Sequence, residues 1–419
     1  GISETFLIGS GTNLKLIEEN KRISMIERGF DPDRLAEIDQ FAEQVIDSAM
    51  TPGMQILVAK RGKIIYHKSF GHHTYDRKIK VENHHLYDLA SLTKITATLP
   101  LIMREVDLNN FGLESPLKDF MPEFEGSNKA NLSVKEVLSH YARLTPWIPF
   151  YKETLDDNAQ QLRKFYRNRK KTRFDIPVAN QLYLRTNFTK KINEQVMESP
   201  LLDSLYYRYS DLPYYLFKNY FERKYFKSLD DLADEFLYQP LGLERTLFNP
   251  LKEIPKEEIV PSEIDDYFRH QELQGYVHDM GAAMQGGVGG HAGLFSNAEE
   301  VYKIMQMYLQ KGNVNGKQLI SSKTFDDFNR CYYCFQGNRR GVGFDKPQLE
   351  GTGSTCGCVS DTSFGHLGFT GTYAWADPDQ ELIFVFLSNR TYPSMSNNLL
   401  GKNNIRTRMQ ALVYKALIY

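Results

Sequence analysis

The sequence predicts an α+β fold, in which an antiparallel sheet flanked by helices carries an inserted, mostly helical subdomain. Near each end of the chain, two β-rich runs flank a turn, and these two candidate hairpins predict the sheet. A third observation predicts the insertion, since residues 90–330 show mostly helical and loop-like patterning. Because the two hairpins stand near opposite ends, we expect the chain termini to meet in one sheet.

The composition is that of a folded domain with little net charge. The 419 residues include 51 Lys and Arg against 52 Asp and Glu, a formal charge of −1. This balance argues against a nucleic-acid partner, which usually requires a basic excess. The 25 Tyr, 26 Phe and 2 Trp supply enough apolar area for a large core. Neither a signal peptide nor a run of 18 apolar residues is present, and the first residue is Gly1, which we read as a processed or truncated start.

The first expected element follows a segment without clear periodicity. Residues 1–30 are interpreted as a leader or linker that precedes one domain at 31–419. Asp31 is a candidate N-cap, and Pro32 suits the first helical position. Apolar residues at helical spacing then predict an amphipathic helix over 32–50.

The strands and the last helix come next. Residues 54–59 and 63–70 predict a hairpin around an Arg-Gly turn. Residues 373–376 and 381–388 predict a second hairpin, and residues 403–417 predict a terminal helix. These elements would form the sheet and cover one of its faces.

One stretch of the expected insertion is strongly basic. It is compatible with an anionic ligand site, but the near-zero net charge favours a solvated surface. Its cations are Arg163, Lys164, Arg167, Arg169, Lys170, Lys171 and Arg173.

The segment Ser91-Leu92-Thr93-Lys94 has the form S-x-x-K. On a helix, residues three apart share a face, so the ammonium of Lys94 can reach the hydroxyl of Ser91. Apolar residues continue at helical spacing to Val106, and Pro100 predicts a kink. Ser115 to Lys118 repeats the pattern in a loop-like setting, where the lysine need not face the serine.

Two further segments carry polar groups suited to the same chemistry. Tyr209-Ser210-Asp211 has the form Y-x-N/D, and a Tyr beside a Lys can move a proton to a leaving group. Residues 365–372 are rich in small residues and include His366 ahead of a strand. A small-residue edge strand lets a substrate backbone approach closely.

In this order, the three motifs resemble those of the penicillin-binding protein and serine β-lactamase superfamily. The class C-like branch is most similar, and the likeness extends from about residue 32 to 419. Residues 132–144 and the Gly-rich residues 289–296 also resemble that branch. The resemblance implies a β-lactamase/transpeptidase-like fold and a serine acyl-hydrolase that needs no cofactor and no metal.

The resemblance also implies a role for each motif residue. Ser91 would be the acylated nucleophile and Lys94 its proton partner, while Tyr209 would be a second proton shuttle. His366 would orient a substrate carboxylate or Tyr209. The backbone N–H groups of Ser91 and Phe369 would form the oxyanion hole. The resemblance further implies that Asp211, Gly368 and Thr370 contact the substrate.

Two positions depart from the pattern of the family. Asp211 stands where Asn is common, and an ionised carboxylate accepts hydrogen bonds but donates none. It could pair with Lys94, hold that lysine charged and weaken it as a base. His366 stands where Lys is usual, and a neutral imidazole binds a carboxylate less strongly than a permanent cation does. Both departures disfavour efficient β-lactam hydrolysis.

The cysteines and paired histidines suggest metal ligands at first sight. Cysteine pairs in a C-x-x-C and a C-x-C pattern could hold zinc, but disulfides that pin an active-site loop, or free thiols, are favoured. Adjacent histidines point to different sides of an element and chelate poorly, so we expect surface or loop positions for them. Ser139-His140 is expected to be structural. The residues are Cys331, Cys334, Cys356, Cys358, His72, His73, His84 and His85.

The expected activity is hydrolysis of D-amino-acid amide or ester bonds in cell-wall peptides, as in D-Ala-D-Ala carboxypeptidases. A class C-like β-lactamase is one alternative. The other is a weakly active peptidoglycan-binding module of a β-N-acetylglucosaminidase. Residues 277–279, 286–296, 365–372 and 386–390 resemble a subgroup whose serine-hydrolase domain is often fused behind family-three β-N-acetylglucosaminidases of Bacteroidetes-type bacteria. A muropeptide partner, no nucleic acid and a periplasmic or envelope location follow from the resemblance.

Overall fold

The computed structural model describes the backbone of residues 3–418 and the side chains of residues 14–418. It confirms the α+β class, with a central five-stranded antiparallel sheet and helices on both faces. The helices are α1 Ser3–Glu27, α2 Pro32–Asp47, α3 Leu99–Asp107, α4 Val134–Leu138, α5 Phe188–Glu198, α6 Leu212–Tyr225, α7 Leu229–Ala233, α8 Gln239–Leu241, α9 Met280–Ala283, α10 Ala298–Leu309, α11 Ser322–Asn329, α12 Leu399–Lys402 and α13 Ile405–Lys415. The strands are β1 Gly53–Lys60, β2 Lys63–Gly71, β3 Tyr87–Asp88, β4 Tyr166–Arg167, β5 Ile176–Ala179, β6 Leu182–Leu184, β7 Leu247–Phe248, β8 Glu263–Asp265, β9 Gln271–Leu273, β10 Leu294–Ser296, β11 Asn313–Val314, β12 Lys317–Gln318, β13 Phe364–Gly368, β14 Thr372–Asp377 and β15 Leu382–Ser388.

The central sheet joins the two ends of the chain. Its strand order is β13-β14-β15-β1-β2, and β1 pairs with β15 from Met54 opposite Ser388 to Lys60 opposite Leu382. The first hairpin turns at Arg61-Gly62, where both residues have positive φ, as the two-residue turns that match strand twist require. Both predicted hairpins, and the single sheet they form, are confirmed.

The two faces of this sheet pack against different parts of the molecule. Ile56 and Phe384 point to a core shared with α2 and α13. Leu57 and Val385 point to the opposite core, which is shared with the helical region. Both layers are buried, so these strands are apolar on both sides. The predicted helices at 32–50 and 403–417 are confirmed as α2 and α13, and the side chain of Asp31 caps α2.

The region 90–330 is richer in strands than the sequence predicts. It contains helices α3 to α11, but also short antiparallel ladders that order its loops. The shortness of these strands explains the difference, since two or three residues give no detectable alternation. The segment 1–30, expected to be a leader or linker, contains α1, and the side chains of residues 1–13 lie outside the described part.

The basic stretch around β4 lies at the surface. Among the described residues, none of its seven cations forms an ion pair within 4 Å, and none lines the active-site pocket described below. The stretch therefore contributes cationic surface rather than a group for catalysis. Within residues 3–418, no helix combines the length and apolar character needed to span a bilayer.

The cysteines form two disulfides, Cys331–Cys334 and Cys356–Cys358. The zinc alternative is wrong in this structure, because sulfurs joined to one another are not thiolate ligands. The expected disulfides are confirmed.

The histidine pairs are only partly at the surface. His84 is exposed, but His73 and His85 are buried, and the Nε2 of His73 lies 2.9 Å from the Nδ1 of His85. Both residues lie in loops, as expected, and their burial is tolerable because each ring supplies the polar partner of the other.

Candidate active site

Ser91 lies at the start of the helical segment that the sequence predicts. The segment opens with a 3-10 turn over Ala90–Leu92, passes through a π turn over Lys94–Thr98 and continues as α3. Pro100 has no N–H, so the carbonyls of Ile95 and Thr96 lose a backbone donor. The hydroxyls of two tyrosines replace it, Tyr308 at 2.6 Å and Tyr238 at 2.9 Å. The expected irregularity at Pro100 thus takes the form of a π turn, a feature common near functional sites.

The residues just before Ser91 hold it in a strained and fixed position. Ala90 has a φ of +48°, a left-handed conformation that costs free energy for a residue with a Cβ. The carboxylate of Asp88 accepts the Ala90 N–H at 2.8 Å and the His278 N–H at 2.7 Å. These two bonds connect the segment that precedes Ser91 to the loop before α9 and stabilise the conformation of Ala90.

Lys94 is fully buried and uses all three of its ammonium donors. It donates to the Oγ of Ser91 at 2.8 Å, lies 2.7 Å from the Oδ1 of Asp211 and donates to the carbonyl of His291 at 3.3 Å. Burial favours a lower pKa for Lys94, but the charges and hydrogen bonds of Asp211 and Tyr209 together outweigh burial and raise that pKa above its usual value. The pairing of Asp211 with Lys94, raised as an alternative from the sequence, is present. Lys94 is therefore a donor to Ser91 in the resting site.

Tyr209 borders the same cluster. Its ring centroid lies 5.0 Å from the ammonium of Lys94, and its hydroxyl is buried without a hydrogen bond within 3.5 Å among the described residues. Burial raises the pKa of the Tyr209 hydroxyl, although Lys94 acts in the opposite direction. The ring packs against His140 at 4.6 Å, whose Nδ1 accepts the Ser210 N–H. His140 thus has the structural role expected of it and positions Tyr209.

His366 lies at the edge of the sheet, on β13, with its ring 5.9 Å from that of Tyr209. Its Nδ1 lies 2.7 Å from the carbonyl of Leu367, and its Nε2 has no partner among the described residues. Burial, with help from Arg340 and Lys94, lowers the pKa of His366 well below its usual value. The ring is neutral, so it offers Nε2 as an acceptor and supplies no positive charge.

The positive charge on this side of the pocket belongs to Arg340. Its guanidinium lies 5.6 Å from the centre of the Tyr209 ring and 3.6 Å from the carboxylate of Asp345. The Nε of Arg340 is buried and has no hydrogen-bond partner among the described residues. Arg339 holds Asp345 through two hydrogen bonds, which fixes the loop that carries both arginines.

Gly368 brings the end of β13 against the residues that precede Ser91. A Cβ at this position would lie 1.9 Å from the Oγ1 of Thr372 and 2.6 Å from the carbonyl of Leu89. Only glycine permits this approach. Phe369 follows directly beyond the last pair of the strand and lines the same pocket as Ser91, and its oxyanion role stays a prediction.

Thr370 lies behind the pocket wall rather than in it. Its side chain is buried, and its hydroxyl donates to the carbonyl of Asp88 at 2.8 Å. The substrate contact expected for Thr370 therefore does not fit its position. Its hydroxyl instead holds the β13–β14 turn against the residues that precede Ser91.

A second cluster supports Lys94 from the α9 side. The Nε2 of His291 lies 2.6 Å from the carboxylate of Asp279, and the ring of Tyr215 stacks on His291 at 4.4 Å. The hydrogen bonds of Asp279 and its attraction to His291 outweigh burial and lower the pKa of Asp279. The side chains of Asp211, Asp279 and His291 lie within 4.8 Å of one another, but the ammonium of Lys94 already pairs with Asp211. We assign no metal to this cluster.

The predicted residues line one pocket of about 950 Å³. Ser91, Tyr209, Asp211, His366 and Gly368 all contribute to its wall, and Phe369 forms part of its rim. Sequence reasoning missed the supporting residues Asp88, Asp279, His291, Arg339 and Arg340. His291 lies within the Gly-rich residues 289–296 that resemble the family, so this segment was the sequence signal that could have identified it. The arginines lie in no motif and gave none.

Comparisons with known proteins agree with this geometry. The β-lactamase family model matches residues 38–405. A protein of Escherichia coli K12 named as a D-alanyl-D-alanine carboxypeptidase is 28% identical over 88% of this chain and 85% of its own. An N-acetylmuramyl-L-alanine amidase of Bacillus subtilis 168 is 28% identical over 93% of this chain and 88% of its own. The class C β-lactamase of Rhodobacter sphaeroides has the same fold, with a TM-score of 0.61 at 15% identity over 91% of this chain and 99% of that one.

Proposed function

The chain belongs to the β-lactamase family of serine hydrolases, and from that premise we propose that it hydrolyses amide bonds of cell-wall peptides through an acyl-enzyme on Ser91. The observation that carries the proposal is the buried Lys94, whose ammonium reaches both the Ser91 hydroxyl and the Asp211 carboxylate. A lysine with only a structural role would not require a contact with a serine that faces the pocket. Here the serine stands in the wall of a cavity large enough for a peptide.

The acylation step follows from the protonation states. Both Lys94 and Tyr209 are protonated at neutral pH, so neither is a base at rest. We infer that Lys94 passes one proton to Asp211 while it takes the proton of Ser91, so that the lysine remains charged throughout. The Oγ of Ser91 then bonds to the substrate carbonyl carbon, and the negative charge moves to the carbonyl oxygen. The N–H groups of Ser91 and Phe369 are the proposed donors to that oxygen.

Collapse of the tetrahedral intermediate releases the amine. The carbon–nitrogen bond breaks, and the leaving nitrogen takes a proton through Lys94 and Tyr209, whose hydroxyl has no competing partner within 3.5 Å among the described residues. Water then attacks the ester by the same path in reverse and restores the Ser91 hydroxyl. Asp211 regains its charge, and the protons balance over the cycle.

The first candidate bond is the C-terminal D-amino-acid amide, as the name of the E. coli relative suggests. Arg340 is the proposed partner of a substrate carboxylate, since His366 is neutral and Arg340 has a free buried donor. A second candidate is the amide beside a muramyl group, as the name of the B. subtilis relative suggests. An aromatic groove beside the pocket favours this second bond and is analysed below.

The alternatives from the sequence remain less favoured. A charged Lys94 held by Asp211 suits slow deacylation of a β-lactam better than rapid turnover. A module that only binds peptidoglycan would not require a buried contact between Ser91 and Lys94. We also propose a periplasmic or envelope location and a glycosidase fused upstream, and both rest on the resemblance alone.

An intact-mass time course with excess penicillin tests the nucleophile. The native protein should gain one acyl group, while Ser91→Ala should gain none and unfold at the same denaturant concentration. A fluorophosphonate, which needs no carboxylate recognition, serves as the second probe. A protein that acquires neither adduct would contradict the proposed activity, and an adduct on Ser91→Ala would assign the nucleophile elsewhere.

A further inference from the structure

A second groove opens directly from the active-site pocket. It has a volume of about 650 Å³ and is lined by Pro146, Trp147, Tyr207, Arg208 and Tyr209. All of these except Arg208 also line the pocket of Ser91. The groove therefore adjoins the pocket that Ser91 lines.

Trp147 presents a large apolar face to solvent at this junction. Its side chain is 49% exposed, whereas Trp375, the other tryptophan of the chain, is 1% exposed and donates to the Oγ of Ser363. An indole left in water beside a catalytic pocket forgoes much of the free energy that its burial would gain. Exposed apolar surface of this kind marks ligand grooves.

The groove also offers polar groups that an aliphatic ligand would leave unpaired. Arg208 is exposed and forms no ion pair within 4 Å among the described residues. The guanidinium of Arg339 lies 5.6 Å from the centre of the Tyr207 ring, but it already donates to Asp345 and Ser354, so Arg208 supplies the cationic donors of the groove. A suitable ligand has one apolar face for the aromatic rings and a polar rim for the donors.

A pyranose ring has both properties. The C–H groups of one sugar face are apolar and weakly positive, so they lie favourably on the negative face of an aromatic ring. Its hydroxyl and acylamino oxygens accept from guanidinium donors. Fatty acyl chains satisfy the first requirement only.

We propose that this aromatic groove binds the pyranose ring of an amino sugar that is covalently linked to the substrate peptide. The proposal rests on the proposed function and specifies its substrate class as glycan-linked peptides. It also selects the bond. Because the groove shares Tyr209 with the pocket that Ser91 lines, a sugar bound in the groove would lie next to the bond that breaks.

The selected bond is the amide between the acid substituent of the sugar and the first amino acid. In that reaction the Oγ of Ser91 bonds to the acyl carbon carried by the sugar, and the carbon–nitrogen bond to the peptide breaks. The peptide amine leaves with one proton, and water later releases the sugar acid.

The first test uses Trp147 as its own reporter and needs no turnover. The Ser91→Ala protein is titrated with the methyl glycoside of N-acetylmuramic acid, and tryptophan emission is recorded. A saturable change is expected, because Trp147 is exposed and Trp375 is shielded. The same titration of Ser91→Ala/Trp147→Phe should be flat. A flat titration of the parent, an equal change without Trp147, or a larger response to hexanoate than to the sugar would overturn the proposal.

The second test measures kcat/KM for two peptides that share a scissile amide, one muramyl-linked and one lactyl-linked without the sugar. Trp147→Ala should lower kcat/KM at least tenfold for the muramyl peptide and less than twofold for the lactyl peptide. Equal losses on both substrates would mean that Trp147 only supports the fold, and no loss on either would place the sugar elsewhere. A protein inactive on every peptide and unreactive to both acylating probes refutes the proposed function, while the fluorescence titration still decides the groove.

Discussion

Asp211→Asn is the substitution that probes the catalytic cluster most directly. It keeps the size of the side chain and an acceptor oxygen, but it removes the negative charge that lies 2.7 Å from Lys94. The ammonium would then be fully buried without a counter-charge. Burial, the largest single influence on Lys94, would then lower its pKa below the usual 10.5.

The magnitude follows from the burial of the pair. Removing one partner of a buried ion pair costs about 3–5 kcal/mol, and the side chain of Asp211 is 21% exposed, so we expect a loss of about 3 kcal/mol in the free energy of unfolding at neutral pH. A fully buried lysine can lose about 3–5 pKa units, which would bring the pKa of Lys94 in the variant down to the neutral range.

The pH dependence has a definite sign. In the native protein the pKa of Lys94 is raised, so its contribution is present below 10.5 and is lost as the pH rises through the folded-state pKa. In the variant the unfolded chain binds the Lys94 proton more tightly than the folded protein does, so the free energy of unfolding rises with pH up to 10.5. The gap between the two proteins should therefore shrink by about 1.4 kcal/mol per pH unit above about pH 7.

Urea unfolding of both proteins at several pH values between 6 and 9, together with the pH profile of kcat/KM, provides the assay. In the pH profile of the variant, the fall of kcat/KM towards acidic pH should report the titration of Lys94. At the upper pH values Lys94 would be neutral and able to act as a base. Asp327→Asn is the matched control, since it breaks an exposed ion pair with Lys323 and should cost less than about 0.5 kcal/mol. A stability gap that stays constant with pH, with an unmoved fall of kcat/KM towards acidic pH, would refute the reasoning.

Two further predictions concern the frame of the site. Gly368→Ala would place a Cβ against Thr372 and Leu89, so we expect a loss of about 1–3 kcal/mol in urea unfolding and a lower rate of acylation, whereas Gly112→Ala, with its nearest atom 3.9 Å away, should change neither. Cys356→Ser/Cys358→Ser opens a very short loop, so the free energy of unfolding should fall by about 2 kcal/mol or less. The native protein should titrate no free thiol before reduction and hold no stoichiometric zinc, and four reactive thiols or bound zinc would contradict the disulfide assignment.

Much of the frame could be predicted from local patterns. The N-cap at Asp31 and the Arg61-Gly62 turn depend on neighbouring residues alone, so α2 and the first hairpin were predicted almost residue by residue. The helical region was predicted less well, because its short strands depend on partners far away in the chain. The π turn before Pro100 depends likewise on distant tyrosine hydroxyls that replace its missing donor.

The same division applies to the site. Ser91 and Lys94 share a helical face at a spacing that the sequence displays, so their contact could be predicted. The role of Asp211 could only be posed as an alternative, because an Asp in this motif can face the substrate or the lysine. The neutrality of His366 and the position of Arg340 depend on burial and on Asp345, which no motif records.

By itself, the sequence determined the fold class, the order of the motifs and the contact between Ser91 and Lys94, since these follow from periodicity and short spacings. Only the tertiary structure decided which groups carry charge and which face the pocket. Thr370 turns away to bind Asp88, His366 loses its proton through burial, and Trp147 stays in solvent beside Ser91. Charge and exposure depend on every neighbour in space, and those neighbours come from all parts of the chain.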